Sequence, residues 1–258
     1  EVIIPAPYWV SFAGIVEVAG GTPVFVKAGF DDGLKLTPQA LAAAITPRAR
    51  WVIINSPSNP TGMGYSAAEL AAFADVIRQH PNLMVVSDDL YEHLTYDGFT
   101  FATIAAVAPD LAGRVLTLNG VSKSYCMTGW RIGFAAAPPP LVKAMAKLQS
   151  QSTSSPNSIA QHAAIAALNG PTDFIAANNA AFARRRATVV SALNAIDGIR
   201  CPAPDGAFYV FADIVGLIGR TRPDGKVIGT DSDFAAALLE LGEVAIVPGV
   251  AFGLSPAF

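Results

Sequence analysis

Short, almost purely hydrophobic runs separated by longer amphipathic stretches dominate the first two thirds of this chain. Each run is nearly continuous in apolar side chains, which is the pattern expected of strands buried on both faces of a sheet. Six runs have this character: Val2 to Ile4, Pro23 to Val26, Trp51 to Asn55, Leu83 to Ser87, Val115 to Leu118 and Ile132 to Ala136. The alternation predicts an α/β fold with a mostly parallel central sheet flanked by helices.

Two of the stretches between these runs carry clear helix start signals. Thr37 stands before Pro38, the arrangement of an N-cap residue followed by proline at the first helical position. Ser66, with Glu69 three residues later, predicts a capping box that opens a helix running to about His80. Helices at these places would serve as the crossover connections that parallel strands require.

After residue 139 the pattern becomes mainly helical and then mixed. Helices are expected over 139–149, 157–168, 171–196 and 231–241. Two further strands are expected, at 206–213 ("GAFYVFAD") and at 244–248 ("VAIVP"). We place a domain boundary near residue 170, so that residues 1–170 form a large domain. Residues 171–258 then form a linking helix and part of a smaller C-terminal α+β domain.

Composition and charge argue against several classes of function. Apolar residues make up 52% of the 258 residues and charged residues 14%, which indicates a substantial buried core. No apolar window reaches the length of a membrane-spanning helix, and a net charge of −3 gives no electrostatic basis for binding nucleic acid. Cys126 and Cys201 form no CxxC pair, so we expect a cytoplasmic protein without a metal site. Because the chain begins at Glu1 rather than Met, we expect it to be a fragment that lacks both termini of a longer protein.

Polar side chains follow three of the predicted strands. Asn59 comes after the strand that ends at Asn55, Asp88 and Tyr91 follow the next strand, and Lys123 follows the one after that. Ligands of an open parallel sheet bind outside the carboxyl ends of its strands. We therefore expect these side chains to meet at one edge of the sheet, with Arg131 returning toward them.

This set of side chains suits a single ligand. A lysine that is held neutral forms imines with carbonyl groups, and a neighbouring cation such as Arg131 favours the neutral form. The planar guanidinium of arginine suits a phosphate dianion. An aspartate beside a pyridine nitrogen keeps that nitrogen protonated and makes the ring an electron sink. Pyridoxal 5′-phosphate (PLP) is the ligand that needs all of these groups together.

Five ordered motifs also carry a family resemblance. They are "NSPSNPTG", "SDDLYEHLTYDG", "NGVSKSYCMTGWRIG", "PDGAFY" and "VPGVAFG". In this order they resemble the class I and II aminotransferases of PLP fold type I. The segments "PYWVS" and "QSQSTSSPNSIAQ" are most similar to the bacterial aspartate aminotransferase branch. The resemblance covers essentially the whole chain and makes residues 1–170 part of a PLP-binding domain.

The resemblance implies roles for the residues around the cofactor ring. Lys123 would form the imine link to PLP and, once released by substrate, would move the proton between the substrate Cα and the cofactor. Asp88 would pair with the pyridine nitrogen. Tyr91 and Asn59 would hydrogen-bond to the ring oxygen, and Asn59 would also contact the substrate carboxylate.

The resemblance also implies how phosphate and substrate are held, and here the chain departs from the family pattern. Arg131 and Ser122 would hold the phosphate, while Trp9 would stack on the ring and line the carboxylate pocket. The family's serine three positions before the lysine is replaced by Gly120. The family's glycine-rich phosphate loop, an aromatic residue from the partner subunit and a C-terminal arginine for the substrate carboxylate are not among these 258 residues.

By resemblance, the expected activity is transfer of an amino group from an amino acid, most simply aspartate or glutamate, to a 2-oxo acid. Both half-reactions would use one site, so the kinetics would be ping-pong, and the protein would be a homodimer. A lyase or a non-catalytic PLP-binding effector domain of the same fold type remains an alternative. A nicotinamide-dependent dehydrogenase is a third, because "GMGYSA" at 62–67 fits a relaxed dinucleotide-binding fingerprint with Asp88 at a suitable distance. Against that alternative, "SPSNPT" separates the fingerprint from its strand.

Overall fold

A single six-stranded sheet forms the centre of the molecule in the computed structural model, which describes residues 1–254. Its strands are β1 (Val2–Ala6), β2 (Pro23–Lys27), β3 (Trp51–Asn55), β4 (Met84–Asp88), β5 (Val115–Gly120) and β6 (Gly133–Ala136). Their spatial order is β2-β1-β3-β4-β5-β6. All neighbours run parallel except β5 and β6, which are antiparallel. The mostly parallel sheet is therefore confirmed, with every predicted strand found within two residues of its expected ends.

Eight α-helices connect and flank the strands in the part of the chain that is described. They are α1 (Ser11–Val18), α2 (Pro38–Ala44), α3 (Ala67–Arg78), α4 (Ile104–Val107), α5 (Pro139–Ser150), α6 (Ser158–Asn169), α7 (Asp173–Asn194) and α8 (Asp231–Gly242). Within residues 1–254 none of these helices combines the length and the apolar character needed to cross a membrane. The domain boundary near residue 170 falls between α6 and α7, and it stays a prediction.

The helix start signals read from the sequence are confirmed. The Thr37 side chain accepts a hydrogen bond from the Ala40 N–H at 3.1 Å. The Ser66 hydroxyl accepts the Glu69 N–H at 3.3 Å while the Glu69 carboxylate accepts the Ser66 N–H at 2.8 Å, which completes the capping box. Each of these bonds satisfies a backbone donor that the first helical turn would otherwise leave unpaired.

The main core lies between the sheet and α3. Strands β1, β3 and β4 contribute side chains that are almost completely buried, and α3 packs its apolar face onto them. The buried contributors from these elements include Ile3, Val52, Ile54, Val85, Leu70, Phe73 and Ile77. Burial of each such side chain stabilises the fold by roughly 1.5–3 kcal/mol, so the carboxyl ends of β3 and β4 are held by a rigid centre.

The two strands expected near the C-terminus are absent from the described residues, and those predictions were wrong. Segment 206–213 makes only isolated bridges, between Thr95 and Gly206 and between Arg200 and Asp213, and segment 244–248 has no strand pairing. A hydrophobic run becomes a strand only where a neighbouring strand accepts its backbone hydrogen bonds. In residues 1–254 no such neighbour lies beside either run, whereas the helix predicted between them forms as α8.

Candidate active site

Three strand ends meet in register at one edge of the sheet. Asn55, the last residue of β3, is paired with Asp88, the last residue of β4. Asp88 is in turn paired with Leu118 on β5, and the turn that carries Lys123 follows two residues after that strand ends. The carboxyl ends of these parallel strands therefore deliver polar side chains to the place where such sheets bind ligands.

Asn55 fixes the loop that follows β3. Its amide donates to the Asp88 carbonyl at 3.0 Å, and its side-chain oxygen accepts the Asn59 N–H at 2.7 Å. The peptide bonds before Pro57 and Pro60 are both cis. One side chain thus ties the backbone of Asn59 to the end of β4, a link that sequence reasoning missed because Asn55 reads only as the last residue of a strand.

The two adjacent aspartates after β4 have different environments. Asp89 is buried, and its carboxylate accepts the Ser87 hydroxyl at 2.7 Å. Asp88 is half-buried, and its carboxylate accepts the Leu90 N–H at 3.3 Å. The pKa of Asp88 is raised to about 6, chiefly by burial and also by the charge of Asp89, while the Leu90 N–H bond and the positive charge of Lys123 oppose the rise. Asp88 therefore retains acceptor capacity toward the site, whereas Asp89 stabilises the strand end.

A cavity of about 890 Å³ opens beside Asp88. Ser122 and Arg131 line it together with Asp88, and Phe134 and Met145 contribute apolar walls. Its size falls in the range of small-molecule sites, with a few polar groups among apolar ones. The Arg131 backbone lies in the left-handed region at φ 55°, and one guanidinium N–H donates to the Thr128 carbonyl at 3.0 Å. The carboxylate and the guanidinium thus face a common space.

Lys123 lies in the turn after β5. Its backbone carbonyl accepts the Cys126 N–H at 3.0 Å, and its ammonium nitrogen lies 5.7 Å from the centroid of the Phe208 ring. It is near enough to Asp88 for its charge to act on that carboxyl. The lysine amine therefore lies over an aromatic face, and its charge acts on the Asp88 carboxyl.

Tyr91 is buried and its hydroxyl lies 2.8 Å from the hydroxyl of Tyr209. Burial raises the pKa of Tyr91 well above its ordinary value, the contact with Tyr209 and the charge of Asp88 raise it further, and a hydrogen bond from the Asn59 side chain lowers it. Tyr91 therefore stays protonated and can donate. Tyr209 and Phe208 were missed as site residues, although both stand in the "PDGAFY" motif, which was the available signal.

Trp9 takes a different position from the other candidates. It follows β1, is 38% exposed, and packs edge-to-face on Phe12 at 5.4 Å between ring centroids. Within residues 1–254 it is not among the side chains that line the cavity beside Asp88. Asn59 lines a separate cavity of about 20 Å³ together with Tyr8. The structure thus brings Asp88, Ser122 and Arg131 to one cavity. Within residues 1–254 its lining does not include Lys123, Tyr91, Asn59 or Trp9.

The glycines of "GMGYSA" are explained by packing. A Cβ on Gly64 would overlap the Phe99 ring, and a Cβ on Gly62 would overlap Pro204 while also lying 2.7 Å from the Gly206 carbonyl oxygen. Gly62 also has a positive φ of 69°. Residues 56–66 separate β3 from α3, so the glycines do not form the tight strand-to-helix turn of a dinucleotide site. The glycines that suggested a dehydrogenase are therefore explained by close packing.

The side chains around Asp88 have the chemistry that PLP requires. A carboxyl group with spare acceptor capacity suits a protonated ring nitrogen, and a protonated phenol suits an anionic ring oxygen. Lys123 offers the amine, and the guanidinium of Arg131, a group that suits a phosphate dianion, lines the cavity. The donor set that is present thus fits this cofactor.

Comparisons with known proteins agree with this chemistry. The family described as aminotransferase class I and II matches residues 1–258. The aspartate/prephenate aminotransferase of Cereibacter sphaeroides is 60% identical over all 258 residues, and the aspartate aminotransferase of Rhizobium meliloti is 55% identical. The chain spans 64% and 63% of the lengths of these two relatives.

Solved structures give the same result. The crystal structure of the Rhizobium meliloti aspartate aminotransferase superimposes with a TM-score of 0.97 at 54% identity, over 100% of this chain and 64% of that one. An aromatic aminotransferase from Pyrococcus horikoshii matches with a TM-score of 0.89 at 36% identity, over 99% of this chain and 66% of that one. The fold is therefore PLP fold type I, and the chain belongs to the class I and II aminotransferases, a PLP-dependent family.

Proposed function

We propose that this protein is a PLP-dependent aminotransferase that moves an amino group from an amino acid, aspartate or glutamate, to a 2-oxo acid. The observation that carries the proposal is the placement of Asp88 and Lys123 at neighbouring strand ends, where the charge of the lysine acts on the carboxyl beside the cavity. The two half-reactions share this one site, so the kinetics are ping-pong.

Lys123 and Asp88 have complementary tasks in this proposal. PLP, when bound, supplies an electron sink for the electrons released at the substrate Cα. The Lys123 amine would take the proton from that Cα and deliver it to the cofactor. The Asp88 carboxylate keeps a proton on the ring nitrogen, because a negative charge at that position favours the protonated nitrogen.

The remaining candidates bind and orient. Tyr91 and Asn59 hydrogen-bond to the ring oxygen, and Arg131 with Ser122 holds the phosphate. For Ser122 and Arg131 the support is their common position on the wall of the cavity that includes Asp88. Asn59 and Trp9 serve the substrate carboxylate. For Trp9 the support is the family resemblance alone.

The choice of an acidic amino donor follows the names of two relatives, which are an aspartate/prephenate and an aspartate aminotransferase. A homodimer is proposed from the family resemblance. A cytoplasmic location is proposed from Cys126 and Cys201, which are both free thiols. Residues 1–170 are proposed as the large, PLP-binding domain and residues 171–258 as the linking helix with part of the small domain.

A covalent-capture experiment on the full-length protein tests the proposal. The protein is incubated with PLP, reduced with borohydride, digested and examined by mass spectrometry. We expect the reduced adduct on Lys123, no adduct at this position in Lys123→Ala, and an unchanged adduct in Lys143→Ala, whose lysine lies on the exposed surface of α5. Absence of an adduct on Lys123 in the unaltered protein would contradict the cofactor assignment.

A panel of amino donors with 2-oxoglutarate then tests the reaction itself. We expect turnover with aspartate, with parallel double-reciprocal lines as the second substrate is varied, and a loss of at least about 100-fold in kcat for Lys123→Ala. An adduct without turnover on any donor would favour the lyase or the non-catalytic effector domain.

A further inference from the structure

Tyr209 stands next to Tyr91, and its hydroxyl is the feature that the proposed function leaves without a role. The two hydroxyl oxygens are 2.8 Å apart, and the rings meet edge-to-face at 5.8 Å between centroids. Apart from this bond, the Tyr209 hydroxyl makes no hydrogen bond with any residue in 1–254. It is therefore committed to one partner, and that partner is a residue of the candidate site.

The Tyr91 hydroxyl has a limited number of hydrogen-bond positions. It carries one O–H donor and two lone pairs. The Asn59 side chain also hydrogen-bonds to this hydroxyl. The bond to Tyr209 uses either the Tyr91 proton or a lone pair. The direction of the Tyr91–Tyr209 bond thus decides whether Tyr91 can still donate.

Tyr91 can hydrogen-bond to an anionic oxygen in the site only by donating its O–H proton, since that oxygen is an acceptor. Tyr91 can offer that proton only when Tyr209 acts as the donor in the bond between the two hydroxyls. We propose that Tyr209 is a positioning residue for Tyr91, and that its O–H donates to Tyr91 so that Tyr91 donates to an anionic ring oxygen of the ligand. The inference rests on the proposed function, because it takes Tyr91 as the group that meets that oxygen.

The segment that carries Tyr209 is tied to the loops that follow β3 and β4 by two backbone hydrogen bonds and to helix α7 by a third bond. The Gly206 N–H donates to the Gly62 carbonyl at 2.8 Å, and the Ala207 N–H donates to the Leu94 carbonyl at 2.8 Å. The Arg186 guanidinium donates to the Pro204 carbonyl at 2.7 Å from helix α7. These bonds hold the segment in place even though it forms no strand, so the Tyr209 hydroxyl is kept beside that of Tyr91.

The ring of Tyr209 and its hydroxyl can be separated experimentally. The ring also packs on Phe208 at 4.6 Å between centroids, and Phe208 lies under the Lys123 ammonium. Tyr209→Phe keeps this packing and removes only the hydroxyl. Tyr125→Phe is the matched control, because the Tyr125 hydroxyl makes no hydrogen bond within residues 1–254 and its ring packs against His93 and Phe174.

The test is a double-mutant cycle on PLP affinity in the full-length protein, measured by titration of the visible absorbance. We expect Tyr209→Phe to raise the Kd for PLP about 2- to 10-fold, the range of one hydrogen bond. In a Tyr91→Phe background the same change should have no further effect, because Tyr209 acts through Tyr91. Tyr125→Phe should leave the Kd unchanged. Thermal melting of the ligand-free variants establishes that each has folded.

Each other outcome overturns the inference in a recognisable way. If Tyr91→Phe weakens PLP binding and Tyr209→Phe does not, the role of Tyr209 is wrong while the proposed function stands. If Tyr209→Phe weakens binding equally in both backgrounds, its hydroxyl does not act through Tyr91, and the inference again fails alone. If the unaltered protein does not bind PLP, both the inference and the proposed function fail.

Discussion

The side-chain amide of Asn55 donates to the main-chain carbonyl of Asp88, joining the last residues of β3 and β4 across the sheet edge. The same side chain accepts the Asn59 N–H at 2.7 Å. One residue therefore sets the relative positions of the loop after β3 and of the carboxyl at the end of β4, and neither bond involves a ligand.

Replacing Asn55 by alanine tests this link. The Asp88 carbonyl would keep its bond from the Ser56 N–H, whereas the Asn59 N–H would lose its acceptor. We expect Asn55→Ala to lower the free energy of unfolding by about 1–3 kcal/mol, measured by urea denaturation of the ligand-free protein. Asn82→Ala, in an exposed turn, should change it by less than about 0.5 kcal/mol. Equal effects of the two substitutions would refute the link.

The raised pKa of Asp88 predicts a pH dependence of stability. Burial takes this pKa from its ordinary value of 3.8 to about 6, so the native state binds the proton more tightly than the unfolded chain does. The stabilising contribution of the protonated carboxyl is therefore complete below about pH 4 and is lost as the pH rises through 6. In Asp88→Asn the side chain is uncharged at every pH, so this variant does not lose stability as the pH rises through 6.

We accordingly expect Asp88→Asn to gain stability relative to the unaltered ligand-free protein between pH 4 and pH 8, by on the order of 2 kcal/mol. Urea denaturation at a series of pH values measures the difference. Asp31→Asn, at an exposed position, provides the control and should show a difference that does not vary with pH in this way. A constant difference for Asp88→Asn would contradict the raised pKa.

The packing explanation for Gly64 predicts a loss of stability on adding a single methyl group. Since a Cβ there would overlap the Phe99 ring, Gly64→Ala should lower the free energy of unfolding by about 1–3 kcal/mol in the absence of any ligand. Combining it with Phe99→Ala should remove the clash, so that Gly64→Ala costs little in that background. Gly14→Ala, in helix α1 with no heavy atom within 4 Å of the new Cβ, should instead stabilise by about 0.5–1 kcal/mol.

Arg131 should discriminate between phosphorylated and unphosphorylated cofactor. We expect Arg131→Ala to raise the Kd for PLP at least about 10-fold, because it removes charge-assisted hydrogen bonds, while the Kd for pyridoxal stays the same. Arg131→Lys should raise the Kd for PLP by less than Arg131→Ala does, since an ammonium group keeps the positive charge but lacks the planar fork. Arg184→Ala, on the exposed side of α7, is the control for the loss of a positive charge elsewhere on the protein and should leave the Kd for PLP unchanged. A parallel loss of pyridoxal binding in Arg131→Ala would show that the arginine acts elsewhere.

Features that depend on neighbours along the chain were predictable from the sequence. The six strands, the Thr37 N-cap and the capping box at Ser66 are all local patterns, and each is present. The order of Asn59, Asp88 and Lys123 after successive strands could also be read directly, because parallel strands deliver their carboxyl ends to one edge. The strand expected at 206–213 failed, since a strand also needs a partner, and hydrophobicity alone does not show whether one is present.

The sequence by itself thus determined the sheet, its helices and the type of chemistry at the sheet edge. Only the tertiary structure decided which distant groups complete that edge. Tyr209 reaches Tyr91 across 118 positions, and Phe208 reaches Lys123 because Gly206 and Ala207 are bonded to a different part of the chain. The physical reason is range: propensity, capping and periodicity act over a few residues, whereas the meeting of two hydroxyl groups depends on how whole elements pack.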